Sequence, residues 1–227
     1  RASTGNAEAY QLYLKGRYFA NQATADSLKK SIGYFQQATD KDGNYALAYA
    51  SLADAYNALG GGLVYMPPNE TLPNAKAAAL KAIQLDGTLA EGHAALGYAV
   101  LFNDWDWLSA EHELKRAIEL NPNSSVAHQR YGEVLFVGGR FEESIAESKR
   151  AVELDPVSGA AIGDVAYSLL ALHRYEESIA YTQRAIELDP SNSVTRGNLP
   201  LALALKGQYE QAIAEFNKIP DKDKTVA

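Results

Sequence analysis

The stretch Arg116-Ala-Ile-Glu-Leu-Asn-Pro122 returns as Arg150-Ala-Val-Glu-Leu-Asp-Pro156 and again as Arg184-Ala-Ile-Glu-Leu-Asp-Pro190, each copy 34 residues after the last. A fixed period of this length is the signature of a repeat architecture and changes how every other segment is read. Weaker copies lie upstream. Lys81-Ala-Ile-Gln-Leu-Asp-Gly87 is displaced by 35 residues, and Gln37-Ala-Thr-Asp-Lys-Asp-Gly43 by a further 44, which places insertions of one and ten residues.

Within a unit the apolar spacing is helical. Tyr49, Leu52, Ala53 and Tyr56 follow one face, and Leu59-Gly60 supplies a stop. The equivalent first helices run through His93, Leu96, Gly97 and Val100, then Tyr131, Gly132 and Leu135, then Val165, Ala166 and Leu169. One position is always small (Ala53, Gly97, Gly132, Ala166), as required where two helix backbones come close. Turns follow at Gly139-Arg140-Phe141, His173-Arg174-Tyr175 and Gly207-Gln208-Tyr209. The second helix carries Ser144, Ser148 and Ala151, or Ser178, Thr182 and Ala185, at i, i+4 and i+7, a seam of small residues. Pro122, Pro156 and Pro190 sit just past its end, where a helix cannot continue. Each unit is therefore a helix–turn–helix hairpin. One hairpin cannot bury its apolar face alone, so the hairpins are expected to stack into an all-α solenoid.

This pattern resembles the tetratricopeptide repeat: the 34-residue period, the Leu/Gly/Tyr-like positions of the first helix, Ala or Ser in the second, and the closing Asp-Pro. The resemblance implies five to six repeats over residues 1–227: a degenerate first repeat at 1–45, a repeat with the ten-residue insertion at 46–89, regular repeats at 90–124, 125–158 and 159–192, and a truncated terminal repeat with its tail at 193–227. A narrower resemblance rests on Tyr13-Leu-Lys-Gly-Arg-Tyr18, on Tyr45-Ala-Leu-Ala-Tyr-Ala-Ser-Leu-Ala-Asp-Ala-Tyr56, on Pro67-Pro68 and on Asp104-Trp-Asp-Trp107. These are similar to the repeat tails of bacterial multidomain signalling proteins, in which the array follows a serine/threonine kinase, a nucleotide cyclase or a winged-helix regulator. No such catalytic or DNA-binding part lies within these residues. The chain begins at Arg1 without Met, as expected of a processed product or a segment of something larger.

Composition narrows the function. With 21 basic against 28 acidic residues the net charge is −7, which disfavours nucleic-acid and polybasic membrane binding. Cysteine is absent, removing disulfides, Cys-based metal sites and thiol chemistry, and a cytoplasmic setting is expected. No apolar run is long enough to span a membrane. No Ser/His/Asp order, Glu-x-x-His pattern or phosphate loop appears; Gly60 to Gly62 is followed by no Lys-Ser/Thr pair. No enzyme activity and no cofactor is expected. His93 and His128 share a repeat position but lack further ligands, so ordinary stacking is expected in place of metal binding. His112 and His173 read as surface residues. Glu142-Glu143 and Glu176-Glu177 begin second helices, where they favour the helix dipole.

The departures from the repeat are candidate sites. In the insertion at 60–73, Pro67, Pro68 and Pro73 are expected to hold the loop extended, while Leu63, Val64, Tyr65 and Met66 need apolar surroundings. They either fold back on the first two repeats or form a lip on the groove. Trp107 aligns with Phe141, Tyr175 and Tyr209 and is expected in the core as the plug of the turn. Trp105 is the surplus aromatic, a binding anchor if exposed and scaffold if packed on the insertion, with packing favoured. Pro200 falls within the last first-helix and should kink it, and Pro220 should end the last second-helix early. That last unit reads as terminal or as an interruption of the array.

By the family resemblance, positions 2, 5, 9, 12 and 13 of each first helix point into a concave wall. These are Ala50, Asp54 and Asn57, then Tyr98, Leu101 and Phe102, then Gln129, Glu133, Phe136 and Val137, then Tyr167, Leu170 and Ala171. The wall is mainly apolar and suits a partner's amphipathic helix or apolar peptide. The Lys/Arg/Asn set that clamps a C-terminal carboxylate in some family members is not present. The sequence thus points to a protein–protein interaction scaffold. The alternative is a self-assembling solenoid whose end repeats stack head to tail.

Overall fold

The structure, a computed structural model, describes residues 3–61, 65–188 and 193–219. Among the described residues the chain forms twelve helices and no strand. They fall into two compact units, Arg1–Pro122 and Asn123–Ala227.

The first unit holds α1 (Ala7–Ala20) and α2 (Ala25–Lys41), α3 (Ala46–Gly60) and α4 (Pro68–Leu85), and α5 (Ala90–Asp104) and α6 (Trp107–Leu120). Each consecutive pair packs as an antiparallel hairpin, and the first helices α1, α3 and α5 also contact in order. Aromatic residues fill the first hairpin: the Tyr13 ring lies 5.9 Å from Phe35 and 5.2 Å from Tyr45. Alanines dominate the second, where Ala46, Ala50 and Ala82 are buried with Leu89. The α3–α4 crossing is tighter still, since a Cβ built on Gly60 would fall 1.7 Å from Thr71 Oγ1.

The second unit holds α7 (Ser125–Val137) and α8 (Phe141–Leu154), α9 (Gly159–Ala171) and α10 (Tyr175–Leu188), and α11 (Ser193–Leu205) and α12 (Tyr209–Phe216). Ser124 and Ser158 cap α7 and α9 by accepting from the Ala127 and Ala161 N–H groups. The core between hairpins is aliphatic, with Ile145 and Val152 of α8 packed among Ile162, Val165 and Leu169 of α9. The small seam is buried as its spacing predicts: Ser144 Oγ donates to the Gly132 carbonyl at 2.7 Å, and Ser178 Oγ to that of Ala166 at 2.8 Å.

The turns share a device. Gly139, His173 and Gly207, spaced by 34 residues, all adopt the left-handed conformation, with φ of 73°, 59° and 83°. Trp105 stands at the same place in its turn with φ 55°.

Two expectations are corrected. Pro68 and Pro73 do not hold an extended loop; Pro68 opens α4 and Pro73 lies inside it, so much of the insertion lengthens a helix to 18 residues. Pro68 is accommodated because the first helical position has no intrahelical N–H bond to lose, whereas Pro73, in the second turn, removes one backbone hydrogen bond of α4. Trp107 is not a core plug, being 54% exposed beside exposed Trp105 and Leu108. With one extra residue in this unit and a turn shorter by one, α5 has 15 residues where α7 and α9 have 13. Pro200 lies inside α11, which runs from Ser193 to Leu205. Leu63, Val64, Pro190 and Pro220 lie outside the described residues.

A Cβ built on Gly132 would lie 2.5 Å from Ser148 Oγ and 3.3 Å from the Ser144 carbonyl. Gly132→Val should therefore lower stability by about 2 kcal/mol through overpacking. At Gly138 the nearest atoms would be 3.5 Å away, and Gly138→Ala should leave stability unchanged or slightly higher. Urea unfolding followed by circular dichroism distinguishes the two.

Candidate functional site

The first helices α7, α9 and α11 lie side by side in the second unit, α9 touching both neighbours. Residues that do not point into their own hairpin are left on this row. On α7 and α9 the Phe136 and Tyr167 rings meet at 4.8 Å, and Phe136 also contacts Phe141 at 5.2 Å. Phe136 is partly exposed, while Tyr167 at 46% and Val137 beside it are open to solvent. Leu201, 34 residues after Tyr167, and Leu205 extend the apolar surface onto α11, and both are exposed. Neither stands among the wall positions expected from the sequence, although the 34-residue register carried forward from Tyr167 and Ala171 reaches both.

A polar group interrupts this wall. Gln129 Nε2 donates to Asp164 Oδ2 at 2.9 Å, and Glu133 lies on the same face of α7, one turn further along. Both acids are partly buried. Burial pushes the Asp164 carboxyl up to about 7 against the opposing hydrogen bond from Gln129. Glu133 is raised well above the usual carboxylate range, first by burial and then by the Asp164 charge, with Arg130 acting the other way. A carboxylate pair with displaced titration inside an aromatic wall can hold a proton at neutral pH or receive a cation.

The other expected wall residues are placed differently. Leu170 is buried beneath the row. In the first unit Tyr98 and Leu101 are covered by the chain itself, at 8% and 1% exposure, as are Ala50 and Asn57. Asn57 Nδ2 donates to the Ala95 carbonyl at 3.0 Å, and the Gly61 backbone lies so close that a Cβ there would come within 2.6 Å of Tyr98 Oη. Phe102 stays partly exposed against the Tyr98 ring at 4.8 Å. The residues just before α4 are held by hydrogen bonds: Tyr65 Oη donates to the Ala23 carbonyl at 3.1 Å, and the Met66 N–H to that of Leu59 at 3.0 Å. Tyr65 therefore reaches back to the α1–α2 turn, and Trp105 stands exposed.

The histidines serve their own hairpins. His93 Nδ1 lies 2.7 Å from Glu113 Oε2, and His128 Nδ1 lies 2.6 Å from Glu147 Oε2. Among the described residues no group of three potential ligands could hold a metal ion. Glu143 and Glu177 pair with Arg140 at 2.5 Å and Arg174 at 2.7 Å across the start of α8 and α10. No helix of the described residues is long and apolar enough to cross a membrane.

The tetratricopeptide repeat family model matches residues 106–159 and 164–226, more than half of the chain. The chain belongs to the tetratricopeptide repeat family. Transcriptional regulator HilA of Salmonella typhimurium is 27% identical over 138 residues, 61% of this chain. The chain spans about a quarter of the length of that relative, the matched part being 25%. Among solved structures, the thermophilic tetratricopeptide protein TTC0263 of Thermus thermophilus has a TM-score of 0.67 and 18% identity, covering 91% of this chain and 99% of that one. YrrB, described as a tetratricopeptide protein with an unusual peptide-binding site, has a TM-score of 0.55 and 20% identity, covering 82% and 90%. The structural likenesses carry the all-α repeat fold, and membership of the family carries its general role in protein–protein interaction.

The raised carboxyl of Asp164 has a consequence for stability. Its unfolded form titrates at about 3.9, whereas the folded group is pushed up to about 7. The folded chain thus binds the proton more tightly, and stability falls as pH rises through this window. Asp164→Asn should flatten the pH dependence of the melting temperature across the window and stabilise the chain at pH 8 by about 2 kcal/mol. A steeper slope in the variant would contradict the assignment.

Proposed function

We propose that the chain is a non-catalytic protein-interaction scaffold whose working surface is the first-helix row of the second unit. A partner peptide or helix docks there on Phe136, Val137 and Tyr167, with Leu201 and Leu205 completing the apolar contact. The observation that carries this reading is the partly open ring pair Phe136–Tyr167, formed between adjacent helices at the centre of an exposed apolar strip. Gln129 and Glu133 supply the polar part of the same surface. The peptide-binding site named for YrrB is in keeping with this mode. The likeness to a transcriptional regulator favours a place within a larger bacterial regulatory or signalling protein. In the first unit, where Tyr98 and Leu101 are covered, Phe102, the loop residues Tyr65 and Met66 and the exposed Trp105 belong to a separate, secondary surface.

A second reading is favoured by one observation. Ile213 of α12 is 62% exposed, whereas Ile145, its equivalent 68 residues earlier, is 4% exposed beneath the next hairpin. With Tyr209 and Phe216 it leaves an apolar face on α12 among the described residues, of the kind that pairs between copies. Head-to-tail stacking would set this face against α1, which presents the bulky, exposed Gln11 and Tyr18. Association through α12 of two copies is the form that avoids this obstacle.

Anchors of this type each contribute about 2 kcal/mol on truncation. Phe136→Ala combined with Tyr167→Ala should therefore abolish capture of the partner from native lysate, read by mass spectrometry, while helical circular dichroism is retained. Undiminished capture would overturn the groove assignment. For the second reading, light scattering over a concentration series should show a dimer that Ile213→Glu dissolves; a monomer at all concentrations rejects it.

A further inference from the structure

The polar interruption of the apolar wall says what kind of segment fits it. Glu133 occupies the register place that Tyr167 and Leu201 hold on the next two first-helices, so a carboxylate stands where the rest of the strip is apolar. Asp164 approaches from α9 and is oriented by Gln129. At Glu133 the opposing charge of Arg130 is outweighed by burial and by the Asp164 charge. Two neighbouring carboxylates taken partly out of water with incomplete compensation are unfavourable for the free chain and become favourable once a further cation arrives. The Phe136 and Tyr167 rings on the same helices offer flat faces to a cation and apolar surface to the methylenes behind it. The net charge of −7 adds a long-range pull of the same sign.

We propose that the partner segment docked on this wall presents a lysine or arginine among apolar side chains, and that Glu133 and Asp164 receive its charge. The inference rests on the groove reading above and narrows it to a cationic amphipathic segment. Side-chain length suits the role. A lysine or arginine can lay its stem along Tyr167 and Phe136 and reach the carboxylates with its head, whereas a bare metal ion would meet too few ligands.

The test uses a random peptide library displayed on phage and panned against the chain. Selected peptides are synthesised and titrated by fluorescence anisotropy against the wild-type chain, the Glu133→Gln/Asp164→Asn variant and the Phe136→Ala/Tyr167→Ala variant. All three are first checked by circular dichroism; the near-isosteric carboxamide variant removes buried charge and should fold at least as well. Selected peptides should carry a basic residue flanked by apolar ones. Replacing that residue by norleucine should weaken binding to the wild type at least about tenfold, yet change little on the carboxamide variant. Equal binding of the basic and norleucine peptides, with binding still lost in the aromatic variant, would overturn the cation assignment and leave the groove standing. Binding indifferent to the aromatic variant, or no selectable peptide at all, would overturn both.

Discussion

At Gly132 a first helix and the second helix of its hairpin meet with no room for a side chain, and Ser144 uses the closeness to donate to the Gly132 carbonyl. The same contact recurs at Gly97, where a Cβ would lie 2.7 Å from Leu114, and at Gly16 against the Phe35 ring. This approach distance sets the hairpin. With the backbones so close, each hairpin turns one apolar side toward its neighbour, and Ile145, Val152, Ile162 and Val165 are buried between hairpins. The repeat period returns a small residue to this position, glycine at 16, 97 and 132 and alanine at 53 and 166.

The surface follows from the same geometry. A first helix packed on its partner and on two neighbours has one face left over, and in the second unit these faces adjoin. Side chains on them are relieved of any packing duty, so Tyr167, Val137, Leu201 and Leu205 stay open without weakening the core. Apolar residues in such a place cost solubility and gain nothing in stability, which is why they point to a partner. The carboxylates of Glu133 and Asp164 go further, since partial burial raises the energy of their charged forms in the unbound chain. Such destabilised groups sit beside the aromatic pair and make that stretch chemically distinct from the rest of the row.

The first unit shows how the same scaffold can close a wall. Gly60 and Gly61 allow the end of α3 to press on Thr71 and Tyr98, Asn57 bonds to the Ala95 carbonyl, and Tyr65, just before α4, bonds to the Ala23 carbonyl. The equivalent face is filled there by its own chain. At the α5–α6 turn, in the unit with one added residue, Trp105 and Trp107 lie on the surface, whereas Phe141 of the regular unit is partly buried against Phe136. Small differences in local length therefore decide which stretches of a repetitive chain remain available.

By itself the sequence determined the helical hairpins, their 34-residue register, the small seam of Gly132, Ser144 and Ser178, and the candidacy of Phe136, Val137 and Tyr167. Those properties are local or periodic: they depend on helix spacing, turn chemistry and side-chain size, which can be read residue by residue. Only the tertiary structure decided that Tyr98 and Leu101 are covered, that Trp107 is exposed, that Pro73 lies inside a helix, and that Gln129, Glu133 and Asp164 share one environment. Exposure and charge pairing depend on which atoms of distant residues come within a few ångströms. Asp164 meets Gln129 across 35 positions of sequence, and Tyr98 meets Gly61 across 37. No spacing rule within one helix encodes contacts of that kind; they arise when the hairpins pack.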